Sequence, residues 1–158
     1  MSSSVSSSAS PLTSFGELGL CTELVNIVTE KGYASASPIQ QQAIPAVLNG
    51  RDVIAIAQTG TGKTASFSLP ILQLLANTQP SKPHCVKALI VAPTRELAAQ
   101  VAKNVENYSE GMNIRSTAVF GGVRIEPQKF ELAQGVDILI ATPGRLIDLY
   151  KQGDINFE

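Results

Sequence analysis

Several features are scarce in this sequence, and each scarcity removes a class of protein. Basic residues hold no excess: 12 Lys and Arg stand against 13 Asp and Glu, for a net charge of −1. Any nucleic acid must therefore be gripped by a local patch rather than by a generally positive surface. Only two cysteines occur, Cys21 and Cys85, far apart and without metal-ligand spacing; they read as small buried hydrophobes. No apolar run approaches the roughly 20 residues of a membrane span. The start of the chain has neither the charge nor the apolar stretch of a secretory leader, and no internal repeat is visible. A reducing, cytoplasmic setting away from membranes fits this pattern.

What is present suits one domain. The chain has 158 residues, 44% of them hydrophobic, enough for a single core and too few for two comfortable ones. Residues 1–13 are dominated by serine and cannot bury enough to order themselves, so they read as a flexible tail before a domain over 14–158. Leu20, Leu24, Ile27 and Val28 fall at helical spacing and end at Gly32, and Ser37-Pro38 opens a second helix toward Asn49-Gly50. Beyond them apolar runs at 53–57, 88–92, 117–120 and 136–141 alternate with helical stretches around 63–76, 94–109, 126–134 and 144–151. This alternation predicts an α/β fold with a mostly parallel sheet covered by helices on both faces. Pro70 predicts a kink or break in the helix that contains it.

Ligands of such sheets bind beyond the carboxyl ends of the strands, so the loops after the four apolar runs are the candidates for chemistry. The first is Ala57-Gln58-Thr59-Gly60-Thr61-Gly62-Lys63-Thr64. Its glycines let backbone N–H groups close around phosphate oxygens at a helix N-terminus. Lys63 would reach the β and γ phosphates and the Thr64 hydroxyl would ligate magnesium. The strict phosphate-loop pattern has glycine where Ala57 stands; the strand-loop-helix context still supports the reading. The other loops are Pro93-Thr94-Arg95, Gly121-Gly122 and Thr142-Pro143-Gly144-Arg145, with Arg124 close to the third run. Small or kinked backbone beside an arginine suits a surface that tracks a phosphate backbone. Singly, Thr94 and Thr142 read equally well as helix caps and the glycines as a turn.

These motifs, in this order, resemble the first RecA-like domain of the DEAD-box RNA helicases, from about Phe15 onward. Gly32 to Gln40, with Phe15 upstream, resembles that family's Q motif, and Ala57 to Thr64 its motif I, alanine included. Pro93 to Ala98 resembles motif Ia, Gly121-Gly122 the GG doublet, and Thr142 to Arg145 motif Ib. The stretch "GYASASPIQQQAIPAVLNGRDV" is most similar to bacterial RhlE-like members. The resemblance implies a RecA-like phosphate-loop fold and ATP with Mg²⁺ as cofactors. It implies an adenine site of Phe15, Tyr33 and Gln40, and sequence-independent RNA contacts from Pro93, Thr94, Arg95, Gly121, Gly122, Thr142, Pro143, Gly144 and Arg145.

Chemistry bears on the adenine site directly. A glutamine amide can pair with N6 and N7 of adenine, and a tyrosine ring offers a stacking face. Ser37-Pro38-Ile39-Gln40 also has the form of a capping box, in which Gln40 bonds back to Ser37. Both roles are open at this level.

A nucleotide hydrolase further needs a carboxylate to hold magnesium, and none is expected at the working edge. Asp52 and Asp137 begin their runs; Asp137 precedes Thr142 by five residues, about 16 Å at ~3.3 Å each. Asp148 and Asp154 fall in or after the last helix; Glu96 is the one acid close to a strand's carboxyl end outside the phosphate loop, and its place in the first turn is better explained by the helix dipole. The resemblance implies that the Asp-Glu-Ala-Asp strand, a Ser-Ala-Thr motif and a second RecA-like domain with arginine fingers belong to a longer parent. The sequence is thus expected to be a fragment ending before the Asp-Glu-Ala-Asp motif, binding adenine nucleotide weakly without hydrolysis, and the parent an RNA-stimulated ATPase. Alternative readings are another phosphate-loop enzyme such as a nucleotide kinase, or a non-catalytic nucleotide-binding adapter.

Overall fold

The computed structural model describes residues 14–58 and 62–157. The Ser-rich segment 1–13 lies outside these, as do Thr59, Gly60 and Thr61 of the phosphate-loop motif and the final residue.

A 3-10 turn over Phe15–Leu18 leads into α1 (Thr22–Glu30) and α2 (Pro38–Leu48). Then follow α3 (Lys63–Leu75), β1 (Val86–Val91), α4 (Arg95–Tyr108), β2 (Ser116–Val119), α5 (Glu126–Ala133), β3 (Val136–Ala141) and α6 (Pro143–Lys151). The three strands form a parallel sheet in the order β1-β3-β2. Ala88 lies beside Ile138 on one side of the central strand and Thr117 beside Leu139 on the other.

Position in the sheet explains the burial of each strand. β3, flanked on both edges, is buried at every residue, whereas the outer β1 alternates between covered and open positions. From Ile138 onward the side chains of β3 point alternately to two cores. Ile138 and Ile140 join the larger one, built with Leu24 and Val28 of α1, Ile44 of α2, Leu69 and Leu72 of α3, and Val101 and Val105 of α4. Leu139 and Ala141 join the smaller one, with Leu132 of α5, Leu149 of α6 and Ile155. The α/β fold with a parallel sheet between helical layers, expected from the alternation of runs, is therefore the architecture observed.

Three local expectations are corrected. The run at 53–57 forms no strand: residues 51–58 carry no regular structure, and Ile54 and Ile56 are 94% and 90% exposed. β-branched composition supplies propensity, but a strand needs a neighbour with open N–H and C=O groups, and among the described residues none pairs with this run. The helix containing Pro70 has no break: it runs from Lys63 to Leu75 with Pro70 buried. Neither cysteine is fully buried; Cys21 and Cys85 are free thiols of intermediate exposure, because Cys21 caps α1 and Cys85 sits at the start of the sheet's outer strand.

Candidate functional site

The described end of the Ala57–Thr64 stretch is held by the start of α2. Gly62 precedes α3 in a left-handed conformation, φ 82°, with Lys63 exposed and Thr64 half-buried in the first turn. Gln40, only 3% exposed, accepts the Ser37 N–H at 2.9 Å and donates through Nε2 to the Gly62 carbonyl at 3.2 Å. The first bond completes a capping box with Ser37. The second ties that cap to the loop. A Cβ at position 62 would meet Gln40 Nε2 at 2.2 Å, so glycine is required by close approach as well as by φ.

The two aromatic candidates part company. Tyr33 is 44% exposed, whereas Phe15, at 3%, is packed in the larger core. The Tyr33 side chain reaches Tyr108; burial, with Tyr33 adding to it by charge and hydrogen bond, pushes the Tyr108 hydroxyl up to about 12. Gln58 is exposed. Among the described residues no three His, Cys, Asp or Glu come together as a metal site. The Thr64 hydroxyl stands at the start of α3, and one hydroxyl does not make a cation site without phosphates and water.

The remaining candidates converge on the carboxyl ends of β1, β2 and β3. Thr94 caps α4, its hydroxyl accepting the Leu97 N–H at 3.1 Å, and Pro93, Thr94 and Arg95 are exposed. Arg95 extends to the turn after β2, with Nη1 3.5 Å from the Gly121 carbonyl. Gly122 has φ 80°, and a Cβ there would lie 2.3 Å from Arg95 Nη1. Thr142 is buried, its N–H donating to the Val119 carbonyl at 3.1 Å, while Pro143 and Gly144 open α6 in exposed positions. Arg145 donates to the Val123 carbonyl and to Gln128 Oε1, both at 3.1 Å. Gln128 Nε2 in turn donates to the Phe120 carbonyl at 3.0 Å.

The glycine turn is thus clasped from three helices, by Arg95 of α4, Gln128 of α5 and Arg145 of α6. Gln128 escaped the sequence reading: a lone glutamine in the first turn of a weakly patterned helix has no local mark. Arg124 makes an exposed ion pair with Glu126 at 3.5 Å, worth little in water.

Of the acids, Glu96 stands at this edge in the first turn of α4, whereas Asp137, Asp148 and Asp154 lie elsewhere. Asp137, at the opposite end of β3, accepts the Ser81 N–H at 3.0 Å, the Ser81 hydroxyl at 2.7 Å and the Arg115 N–H at 2.9 Å, with Lys87 Nζ 3.8 Å away. Burial raises its carboxyl, but the Arg115 and Ser81 hydrogen bonds and the Lys87 charge outweigh burial and hold it below the usual carboxylate range. Asp154 pairs with Lys129 at 3.4 Å and Asp148 accepts from Gln152 at 2.8 Å. Glu96 is exposed in the first turn of α4.

Comparison with known proteins gives the family of the chain. The family model of the DEAD/DEAH box helicases matches residues 37–157. The chain is 46% identical over 144 residues to the ATP-dependent RNA helicase DBP2 of Encephalitozoon cuniculi, covering 90% of this chain and 29% of that protein. To the ATP-dependent RNA helicase DeaD of Escherichia coli it is 45% identical over 145 residues, covering 91% of this chain and 22% of the relative. The crystal structure of a DEAD box protein from the hyperthermophile Methanococcus jannaschii superposes with a TM-score of 0.82 at 36% identity, over 90% of this chain and 38% of that one. The chain thus spans less than a third of the curated relatives it matches. It belongs to the DEAD/DEAH box helicase family.

Proposed function

We propose that this chain is the ATP-binding part of an ATP-dependent RNA helicase, the N-terminal RecA-like domain of a longer protein that opens short RNA duplexes or remodels RNA-protein complexes. A second RecA-like domain would complete the nucleotide site, and the proposed branch is the bacterial RhlE-like one. The observation that carries the nucleotide reading is the bonding of Gln40. A neutral amide offers two N–H groups and two lone pairs; Ser37 and Gly62 take one of each, leaving the one donor and one acceptor that N7 and N6 of adenine require. Capping and adenine reading are then compatible in a single side chain.

In this reading Gln58 to Thr64 cradle the phosphates, with Lys63 as their counter-charge. Magnesium is held by the Thr64 hydroxyl, the phosphates and water. Tyr33 offers its open ring to the base. Phe15 acts from beneath, supporting the pocket through the core. RNA lies across the carboxyl edge of the sheet and is read through its phosphates, from Pro93, Thr94 and Arg95 across Gly121 and Gly122 to Thr142, Pro143, Gly144 and Arg145. No described helix is long and apolar enough to cross a membrane, and the proposed setting is cytoplasmic.

The test is calorimetry of ADP against GDP together with phosphate release from ATP by the purified chain, with Lys63→Ala as control. The expected result is weak binding that prefers ADP, and no turnover. Equal affinity for the two nucleotides would refute the adenine reading. Turnover that disappears in Lys63→Ala would show that an acid within this chain completes the site.

A further inference from the structure

We infer that Gln128 is a positioning residue for RNA: it orients Arg145 toward phosphate while leaving that arginine's charge unspent. The inference rests on the RNA-backbone reading of this edge and adds a residue to it. Gln128 is 9% exposed, so its amide is fixed by the protein rather than by water. It spans two elements, donating to the Phe120 carbonyl at 3.0 Å and accepting from Arg145 Nη1 at 3.1 Å. Arg145 Nη2 is tied at the same time to the Val123 carbonyl at 3.1 Å. Two acceptors on two different nitrogens fix the plane of a guanidinium, and three of its five N–H groups are left for other oxygens.

The chemistry of the acceptor matters. Both oxygens that hold Arg145 belong to neutral amides, so the arginine keeps its full positive charge for a phosphate. A glutamate at 128 would hold the guanidinium at least as firmly and neutralise it. The same amide pins Phe120, the residue before the glycine turn, so the turn and the arginine are set relative to each other through one side chain. A residue that merely filled space would need neither the donor nor the neutral acceptor.

The experiment measures binding of a labelled ten-nucleotide uridine strand to this chain by fluorescence anisotropy across a salt series. The wild type is compared with Arg145→Ala, Gln128→Glu, Gln128→Met and the double variant Gln128→Met/Arg145→Ala. Thermal melts and ADP affinity serve as folding controls. Arg145→Ala is expected to weaken binding about tenfold and to reduce the salt slope by about 0.7, as one lost phosphate contact to a single strand does. Gln128→Glu should reproduce that smaller slope although it keeps an acceptor for Arg145. Gln128→Met should weaken binding about threefold in the wild-type background and not at all in Arg145→Ala, since a residue that acts through another has no effect without it. ADP affinity should not move.

Wild-type slope and affinity in both Gln128 variants, beside a weakened Arg145→Ala, would overturn the positioning role alone. So would a full additional loss in the double variant. No effect of Arg145→Ala, or no RNA binding by the wild type, would overturn the RNA edge and this inference with it.

Discussion

Two stretches of this chain are almost the same sequence and meet opposite fates. Residues 53–57 read Val-Ile-Ala-Ile-Ala, and 136–141 read Val-Asp-Ile-Leu-Ile-Ala. In the second, Ile138 and Ile140 are 1% and 0% exposed, at the centre of the sheet; in the first, Ile54 is 94% exposed and no ladder forms. Hydrophobicity and β-branching do not separate them. Neighbours do: β3 has β1 on one edge and β2 on the other, whereas no described strand pairs with 53–57. The difference carries into the loops that follow. Beyond β3 and β2 the glycine turn is clasped by Arg95, Gln128 and Arg145. Beyond 53–57 the described anchor is the Gln40 contact to Gly62.

The sharpest way to break this comparison is to remove a methyl-rich side chain from each stretch. Leu139→Ala, at a fully buried site, is expected to cost about 2–5 kcal/mol, and Ile54→Ala no more than about 0.5 kcal/mol, by urea denaturation of this chain. A large cost at Ile54 would mean that the run is packed in solution and that the contrast is wrong.

Next in size is the polar anchor at the start of β3. Asp137→Ala leaves two N–H groups and a hydroxyl without their acceptor, removes the ion-pair partner of Lys87, and should cost about 2–3 kcal/mol. Because the folded carboxyl lies below its ordinary value, its contribution is fully present above an unfolded value of about 4. It is lost as pH falls through the lowered folded value. Asp137→Ala should therefore flatten the acid limb of stability against pH; an unchanged limb would remove Asp137 from that role.

The paired glycines separate the two loops from one another. Gly62→Ala and Gly122→Ala each force a side chain into a left-handed conformation, costing about 1–2 kcal/mol, and each collides with a polar group. Gly62→Ala should weaken ADP binding and spare RNA, and Gly122→Ala should do the reverse. If both substitutions reduced both affinities equally, the loops would not be independent sites.

The smallest effect belongs to base selectivity. Gln40→Ala removes a pair of hydrogen bonds to adenine and should narrow the ADP-over-GDP preference by about fivefold, near the value of one net hydrogen bond. Competition binding with both nucleotides measures it, and an unchanged ratio would leave Gln40 as a helix cap only.

Much of this was readable in advance where the signal is local. The helix starts at Pro38, Arg95 and Pro143 follow Ser37, Thr94 and Thr142, residues whose side chains suit an N-cap, and Leu20, Leu24 and Val28, read at helical spacing, reach the core whereas Ile27 does not. The capping box of Ser37 and Gln40 was legible for the same reason, because its partners are three residues apart. Gln128 was not. Its partners are 8 and 17 residues away in sequence, and only the packing of α5 and α6 against the sheet brings them within hydrogen-bond distance. The role of Asp137 was hidden likewise, since Ser81 lies 56 residues from it.

Sequence alone determined the alternation of apolar runs and helices, the caps, and the glycines at 62 and 122, because those depend on backbone sterics and on partners within one turn. Tertiary structure decided which apolar run becomes a strand, that Phe15 is buried while Tyr33 stays open, and that Gln128 joins Arg145 to the glycine turn. Each of those outcomes depends on what lies alongside, and a ladder, a core or a clasp between loops is made by neighbours that sequence proximity does not supply.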